Sequence, residues 1–183
     1  IAGIFDLIQR RDIDADLLHR MNESQFHRGP DEGGLHVEPG VGLAHRRLSI
    51  IDLSGGHQPL FNEDGSVAVV FNGEIYNFHE LSEELLAAGH RFRTRCDTEV
   101  LVHAWEEWGP ACVQRFRGMF AFAIWDGRSQ VLFLARDRLG IKPLYYHFSR
   151  NHNTLLFASE LKALMAFGGF AKAVAPDSIP LFL

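Results

Sequence analysis

The sequence predicts an α+β fold in which two antiparallel sheets are stacked and covered by helices. Three observations carry this expectation. Short apolar segments outnumber helical ones and follow one another in hairpin order. The stretch Gly118 to Trp125 is apolar on both faces: Phe120, Phe122 and Ile124 share one, and Met119, Ala121, Ala123 and Trp125 share the other. Such a strand belongs between layers, and its small alanines let something approach closely. Helical spacing is confined to a few short stretches that end at Gly or Gly-Pro.

Composition fits one globular domain with a sizeable core: 183 residues, 46% apolar and 22% charged. A net charge of -5 without a basic cluster argues against a nucleic-acid surface. No apolar run approaches a membrane span, and no signal peptide is recognisable. The two cysteines, Cys96 and Cys112, are too few for a disulfide framework, so a cytoplasmic, reducing setting is expected. None of the ten histidines has the spacing of a zinc helix or finger. Most are expected in loops or at the surface, and no metal site is predicted.

In chain order, Ile1 to Phe5 is a predicted core strand. Asp16 to Phe26 places Leu17, Leu18, Met21 and Phe26 at near-helical spacing, with Gly29-Pro30 as the stop. Gly33 to Val37 and Val41 to Ile51 are predicted strands. Arg46 and Arg47 are adjacent in the second, so they point to opposite faces. One is solvated; the other turns inward and needs an anion. Asp52 to Pro59, rich in Gly and Ser, is assigned as a turn.

Val67 to Phe71 is a buried strand that ends in Asn72-Gly73-Glu74, which offers an amide, an unobstructed N–H and a carboxylate. Taken alone, Asn72-Gly73 is better explained as a tight turn between two strands. Asn77 caps a helix to Ala88, with Glu80 at the capping-box position. A short strand, Arg91 to Thr94, precedes a helix capped by Asp97 or Thr98, which carries Val100, Leu101, Ala104, Trp105 and Trp108. Asp126-Gly127 turns the Gly118 strand into Val131 to Ala135. Leu144 to Phe148 and Leu155 to Ala158 are two more strands, and Glu160 to Phe167 is a short helix. The domain is expected to span 1–167, with 168–183 a linker or the start of a further domain.

Several motifs resemble one family, in family order. They are His27-Arg28-Gly29-Pro30-Asp31, Arg47-Leu48-Ser49-Ile50, Asn72-Gly73-Glu74-Ile75-Tyr76-Asn77, Asp97-Thr98-Glu99, Gly118-Met119-Phe120-Ala121-Phe122, the run Arg136 to Tyr146, and Ser159-Glu160-Leu161-Lys162-Ala163-Leu164. Together they are similar to the glutamine-hydrolysing domain of asparagine synthetase and its amidotransferase relatives. The wording around Leu48 to Asn62 and Thr94 to Gly118 resembles amidotransferases of bacterial exopolysaccharide and exosortase gene clusters.

The resemblance implies an N-terminal-nucleophile-type four-layer α/β/β/α sandwich and hydrolysis of glutamine to glutamate and ammonia. Arg47 would hold the substrate α-carboxylate and Asp97 its α-ammonium group. Leu48, Ile50 and Glu74 would line the pocket. The Asn72 side chain and the Gly73 N–H would form the oxyanion hole. No cofactor or metal is implied here. ATP and magnesium would bind a synthetase domain C-terminal to this segment, which would accept the ammonia, and a homodimer is compatible.

The sequence departs from the family pattern at its start. The family nucleophile is an N-terminal cysteine whose own α-amine takes the proton, whereas this sequence opens on Ile1, the equivalent of the third residue. The expectation is trimming ahead of Ile1, since neither Cys96 nor Cys112 carries a free α-amine. The alternatives are a non-catalytic glutamine-binding module and the glutaminase domain of another amidotransferase class.

Overall fold

Nine strands pair into two antiparallel sheets in the computed structural model, which describes residues 1–8, 11–48 and 56–168. One sheet has the order β2-β3-β1-β9-β8, formed by β1 (Ala2–Asp6), β2 (Glu32–Glu38), β3 (Val41–Arg47), β8 (Tyr145–Ser149) and β9 (Thr154–Ala158). The other has the order β4-β5-β6-β7, formed by β4 (Leu60–Phe61), β5 (Val67–Ile75), β6 (Gly118–Asp126) and β7 (Val131–Arg136). Four helices cover them: α1 (Ala15–Glu23), α2 (Phe78–Ala87), α3 (Asp97–Trp108) and α4 (Leu161–Leu164).

Three apolar clusters mark the layers. Ala2, Ile4, Ala44, Leu156 and Ala158 pack on Leu17, Leu18 and Met21 of α1 and on Ala163 and Leu164 of α4. Val67, Val69, Phe71, Phe120, Phe122 and Ile124 pack under α2 and α3. Between the sheets lie Ile1, Val41, Leu43, Ala68, Val70, Ala121, Ala123, Trp125 and Phe157. The alternation read in β6 thus holds: phenylalanines face the helices and alanines face the opposing sheet. Gly3 makes a comparable close approach, since a Cβ there would stand 2.2 Å from the Phe157 ring. The layered α+β fold predicted from the sequence is the one observed.

Several local expectations are corrected. β5 does not end at Phe71. It runs to Ile75, with Asn72 opposite Ala121 and Gly73 opposite Phe120, so Asn72-Gly73 is neither a turn nor a strand exit. Arg91 to Thr94 is not a strand; Glu99 holds it instead, accepting from the N–H groups of Arg93 and Thr94, each at 2.7 Å. The Asn77 side chain does not cap α2: it donates to the Arg115 carbonyl and accepts from the Arg117 N–H. The first helix ends at Glu23, and a 3-10 turn, Phe26–Arg28, follows it. The last helix is confined to Leu161–Leu164. β4 was not foreseen. Residues 49–51 of the predicted second strand, 52–55 of the Asp52 to Pro59 turn, and 169–183 lie outside the described residues.

Candidate active site

Strand parity decides which side chains can meet. On β3 the odd positions Val41 and Leu43 face the other sheet, so His45 and Arg47 do as well. Both are buried, at 6% and 7% exposure. Arg46 takes the outer face, where it pairs with Glu23 and lies 4.9 Å over the Phe26 ring, so it is not simply solvated. Arg47 has the anion that an inward arginine requires: Glu32, opposite it on β2, at 3.5 Å. His57 holds the other oxygen of Glu32 at 2.6 Å. Gly56 packs against the guanidinium, and a Cβ there would come within 2.6 Å of it.

On β5 the even positions Ala68 and Val70 face inward, which sets Asn72 on the same side. His45 links the sheets at this level, with its Nε2 3.0 Å from the Phe71 carbonyl. β3 and β5 therefore bring Arg47 and Asn72 to the same end of the space between the sheets. The Asn72 Nδ2 is buried and has no hydrogen-bond partner among the described residues. Gly73 has φ +156°, and a Cβ there would stand 2.2 Å from the Met119 carbonyl oxygen. Only glycine fits this crossing without displacing β6.

Asp97 joins this end from α3. It is the first residue of the helix, behind Cys96 as N-cap, and its Oδ2 accepts from the Ile75 N–H at 2.9 Å. It is therefore a tie between α3 and β5 rather than a side-chain cap. Burial pushes its carboxyl up, and the Glu74 charge adds to this, against hydrogen bonds from backbone N–H groups. Glu74 itself is exposed. Leu48 lies just past Arg47 and is 54% exposed. Ile50 falls outside the described residues.

The Ile1 amine lies at the centre of the first sheet. It donates to Ser159 Oγ at 3.0 Å, and the Ser159 N–H returns to the Ile1 carbonyl at 2.9 Å. Burial lowers this amine to about 5; the Arg28 cation lowers it further and Glu160 opposes. His45 is lowered to about 3 by burial first, then by the charges of the amine and Arg47, against the Phe71 carbonyl. The His27–Asp31 motif wraps this end: a Cβ on Gly29 would meet the β3 backbone at 2.4 Å, and His27 and Arg28 both reach Glu160, at 2.9 and 3.3 Å.

The remaining cysteine is remote from any such chemistry. Cys112 is fully buried, and burial pushes its thiol up to about 12. A hollow of about 450 Å³ lined by Asn77, Glu80, Glu84, Arg115, Arg117 and Arg138 contains none of the predicted site residues. The residues that sequence motifs alone did not single out are His45 and Glu32, while Ser159 lies in a motif without a role assigned there. Their signal is positional: each is paired to Ile1 or Arg47 by strand register.

Residues 1–183 match the glutamine amidotransferase domain family. The chain belongs to that family. Within the amidotransferase family it is 46% identical over 168 residues to the protein named asparagine synthetase [glutamine-hydrolyzing] 2 of Bacillus subtilis, covering 91% of this chain and 22% of that one. It is 49% identical over 138 residues to asparagine synthetase [glutamine-hydrolyzing] 3 of Arabidopsis thaliana, covering 75% of this chain and 23% of that one. The chain thus spans about a quarter of the length of these relatives. Among solved structures, the glutamine phosphoribosylpyrophosphate amidotransferase of B. subtilis shares the fold at TM-score 0.74 and 22% identity, over 91% of this chain and 43% of that one.

Proposed function

We propose that this amidotransferase domain hydrolyses glutamine and passes the ammonia to a synthetase domain C-terminal to it. The observation that carries the reading is the buried Asn72 Nδ2, a donor without an acceptor among the described residues, held on β5, the strand to which Asp97 is tied at Ile75. An unmatched buried donor is costly unless something else satisfies it. The amide oxygen of glutamine is a fitting acceptor, and it becomes a better one as it gains negative charge.

In this reading Arg47 binds the α-carboxylate and Asp97 the α-ammonium group, with Leu48 and Glu74 at the rim of the pocket. A cysteine thiol ahead of Ile1 attacks the side-chain amide carbon, and its α-amine takes the thiol proton. Asn72 Nδ2 and the Gly73 N–H stabilise the tetrahedral oxyanion. The protonated amine then gives its proton to the departing nitrogen, ammonia leaves, and water cleaves the thioester to glutamate. Strand register supports the placement. Ala2 lies opposite Ala44, so extending β1 backwards by two residues sets the first of them opposite Arg47. Its side chain then shares the inward face of Ile1, toward β5.

The nitrogen acceptor would be set by that synthetase domain, where ATP and magnesium would bind; the relatives' printed name is asparagine synthetase. Unpaired Cys96 and Cys112 fit a reducing cytoplasm.

The test is ammonia release from glutamine by four versions of the chain, measured alone and joined to the downstream domain. The chain starting at Ile1 is expected to give background only. The chain extended by Cys-Gly, with any preceding Met removed, is expected to turn over. Changing that cysteine to Ala, or leaving a tag ahead of it, should abolish turnover. Activity of the chain starting at Ile1 would overturn the nucleophile assignment. A folded, extended, full-length protein that binds glutamine without hydrolysing it would establish the binding-module alternative.

A further inference from the structure

Between α3 and the turn after α2, two histidines and a glutamate converge. His90, in the turn after α2, and His103 and Glu106, on α3, each bring one ligand atom within 4.8 Å of the others. His103 Nδ1 is 3.3 Å, and His90 Nδ1 3.9 Å, from the same Glu106 oxygen, Oε2. Two ligands of a tetrahedral zinc ion, each about 2.0–2.1 Å from it, stand roughly 3.3 Å apart. The first pair already has that spacing. The second needs only a small turn of His90, whose side chain is 16% exposed.

The outer nitrogens make the arrangement more telling. His103 Nε2 is buried without a hydrogen-bond partner among the described residues, and faces Glu99 Oε1 at 3.7 Å. His90 Nε2 stands 3.2 Å from Glu107 Oε2. Each imidazole thus turns one nitrogen toward a shared carboxylate and the other toward a supporting carboxylate, the arrangement that orients metal-binding histidines. The second oxygen of Glu106 is held by Asn62 Nδ2 at 2.8 Å and by Arg128 at 3.4 Å, which fixes the direction of Oε2.

We propose that His90, His103 and Glu106 form a binding site for one divalent transition-metal ion of the zinc class. Two imidazoles and a carboxylate suit such an ion and leave a fourth position for water. Histidine ligands hold such an ion in their neutral form. Binding releases protons and strengthens as pH rises. Its structural effect is to clamp the turn after α2 onto α3, the helix that begins at Asp97.

The test is calorimetric titration of the 183-residue chain with zinc alone, at two pH values, with cobalt(II) absorption as a geometric readout. One ion per chain, proton release and a tetrahedral cobalt spectrum are expected. Glu107→Gln, which removes only a supporting carboxylate, is expected to weaken binding about 10–100-fold. His90→Asn and Glu106→Gln should weaken it more, while each keeps the metal-free melting temperature close to the parent. Absence of saturable zinc binding would overturn the site. So would binding that both ligand variants leave unchanged, because the ion would then sit on other histidines.

Discussion

Asn72 separates two roles within one residue. Its backbone belongs to the β5–β6 ladder, opposite Ala121, while its side-chain Nδ2 has no partner among the described residues. Replacing the side chain therefore leaves the sheet intact. In an active, cysteine-bearing protein, Asn72→Ala is expected to lower kcat by about 10²–10³ with KM little changed. Its melting temperature should stay level, because a costly buried donor is removed along with its function. Asp97→Asn makes the complementary test. The amide oxygen still accepts from Ile75 N–H, so the tie to β5 persists, but the charge is gone. Glutamine binding is expected to weaken by about 2–5 kcal/mol, read as a raised KM at unchanged melting temperature. If instead both variants melt earlier and keep their kinetic constants, the two residues serve the fold alone.

At the scale of elements, α3 is tied down by Glu99. The carboxylate accepts from Arg93 N–H, Thr94 N–H and Thr94 Oγ1, and so replaces the strand expected over Arg91 to Thr94. Burial pushes Glu99 up, but His103 and these hydrogen bonds outweigh it and bring the carboxyl down to about 2. For a depressed carboxyl the added stability is complete above the unfolded value and is lost as pH falls toward the folded one. In chelator-treated protein, Glu99→Gln should thus be less stable at neutral pH, by on the order of 3 kcal/mol. Denaturant titrations should show that gap closing between pH 4.5 and 2. A gap independent of pH would mean that packing, not ionisation, is at stake.

Elements whose signal is local were legible in the sequence. Alternation in β6 showed a strand buried on both faces, and adjacency of Arg46 and Arg47 showed that one of them must turn inward. Features set by distant partners were not. β4 is two residues long and exists only because β5 accepts it. β5 continues through Asn72-Gly73-Glu74 because β6 lies alongside. Local turn propensity cannot see that neighbour. The motifs likewise pointed to Arg47, Asn72 and Asp97, while Glu32 and His45, and the contact of Ser159 with Ile1, emerge only from register across the sheets.

Across the whole molecule, β1 is the middle strand of its sheet, with β3 on one side and β9 on the other. Ala2 pairs with Ala158, so nearly the whole chain separates these neighbours. The cluster under α1 also needs Leu156, Ala158, Ala163 and Leu164 to close. A chain ending after β7 should therefore keep β1 with one neighbour and half a cover. Limited proteolysis is expected to cut it readily ahead of α2, whereas the chain through 168 resists; equal resistance would show that the first sheet closes without β9. The same strand order sets a timetable for synthesis. β1 is the first of the described strands to leave the ribosome and among the last to be enclosed. At about 5–20 residues per second, it waits roughly 8–30 s for β9. Through that interval Ala2, Ile4 and Phe5 are exposed to every other nascent segment in the cell. A chaperone that binds short apolar stretches has its natural target there, at the very strand that positions the candidate active site.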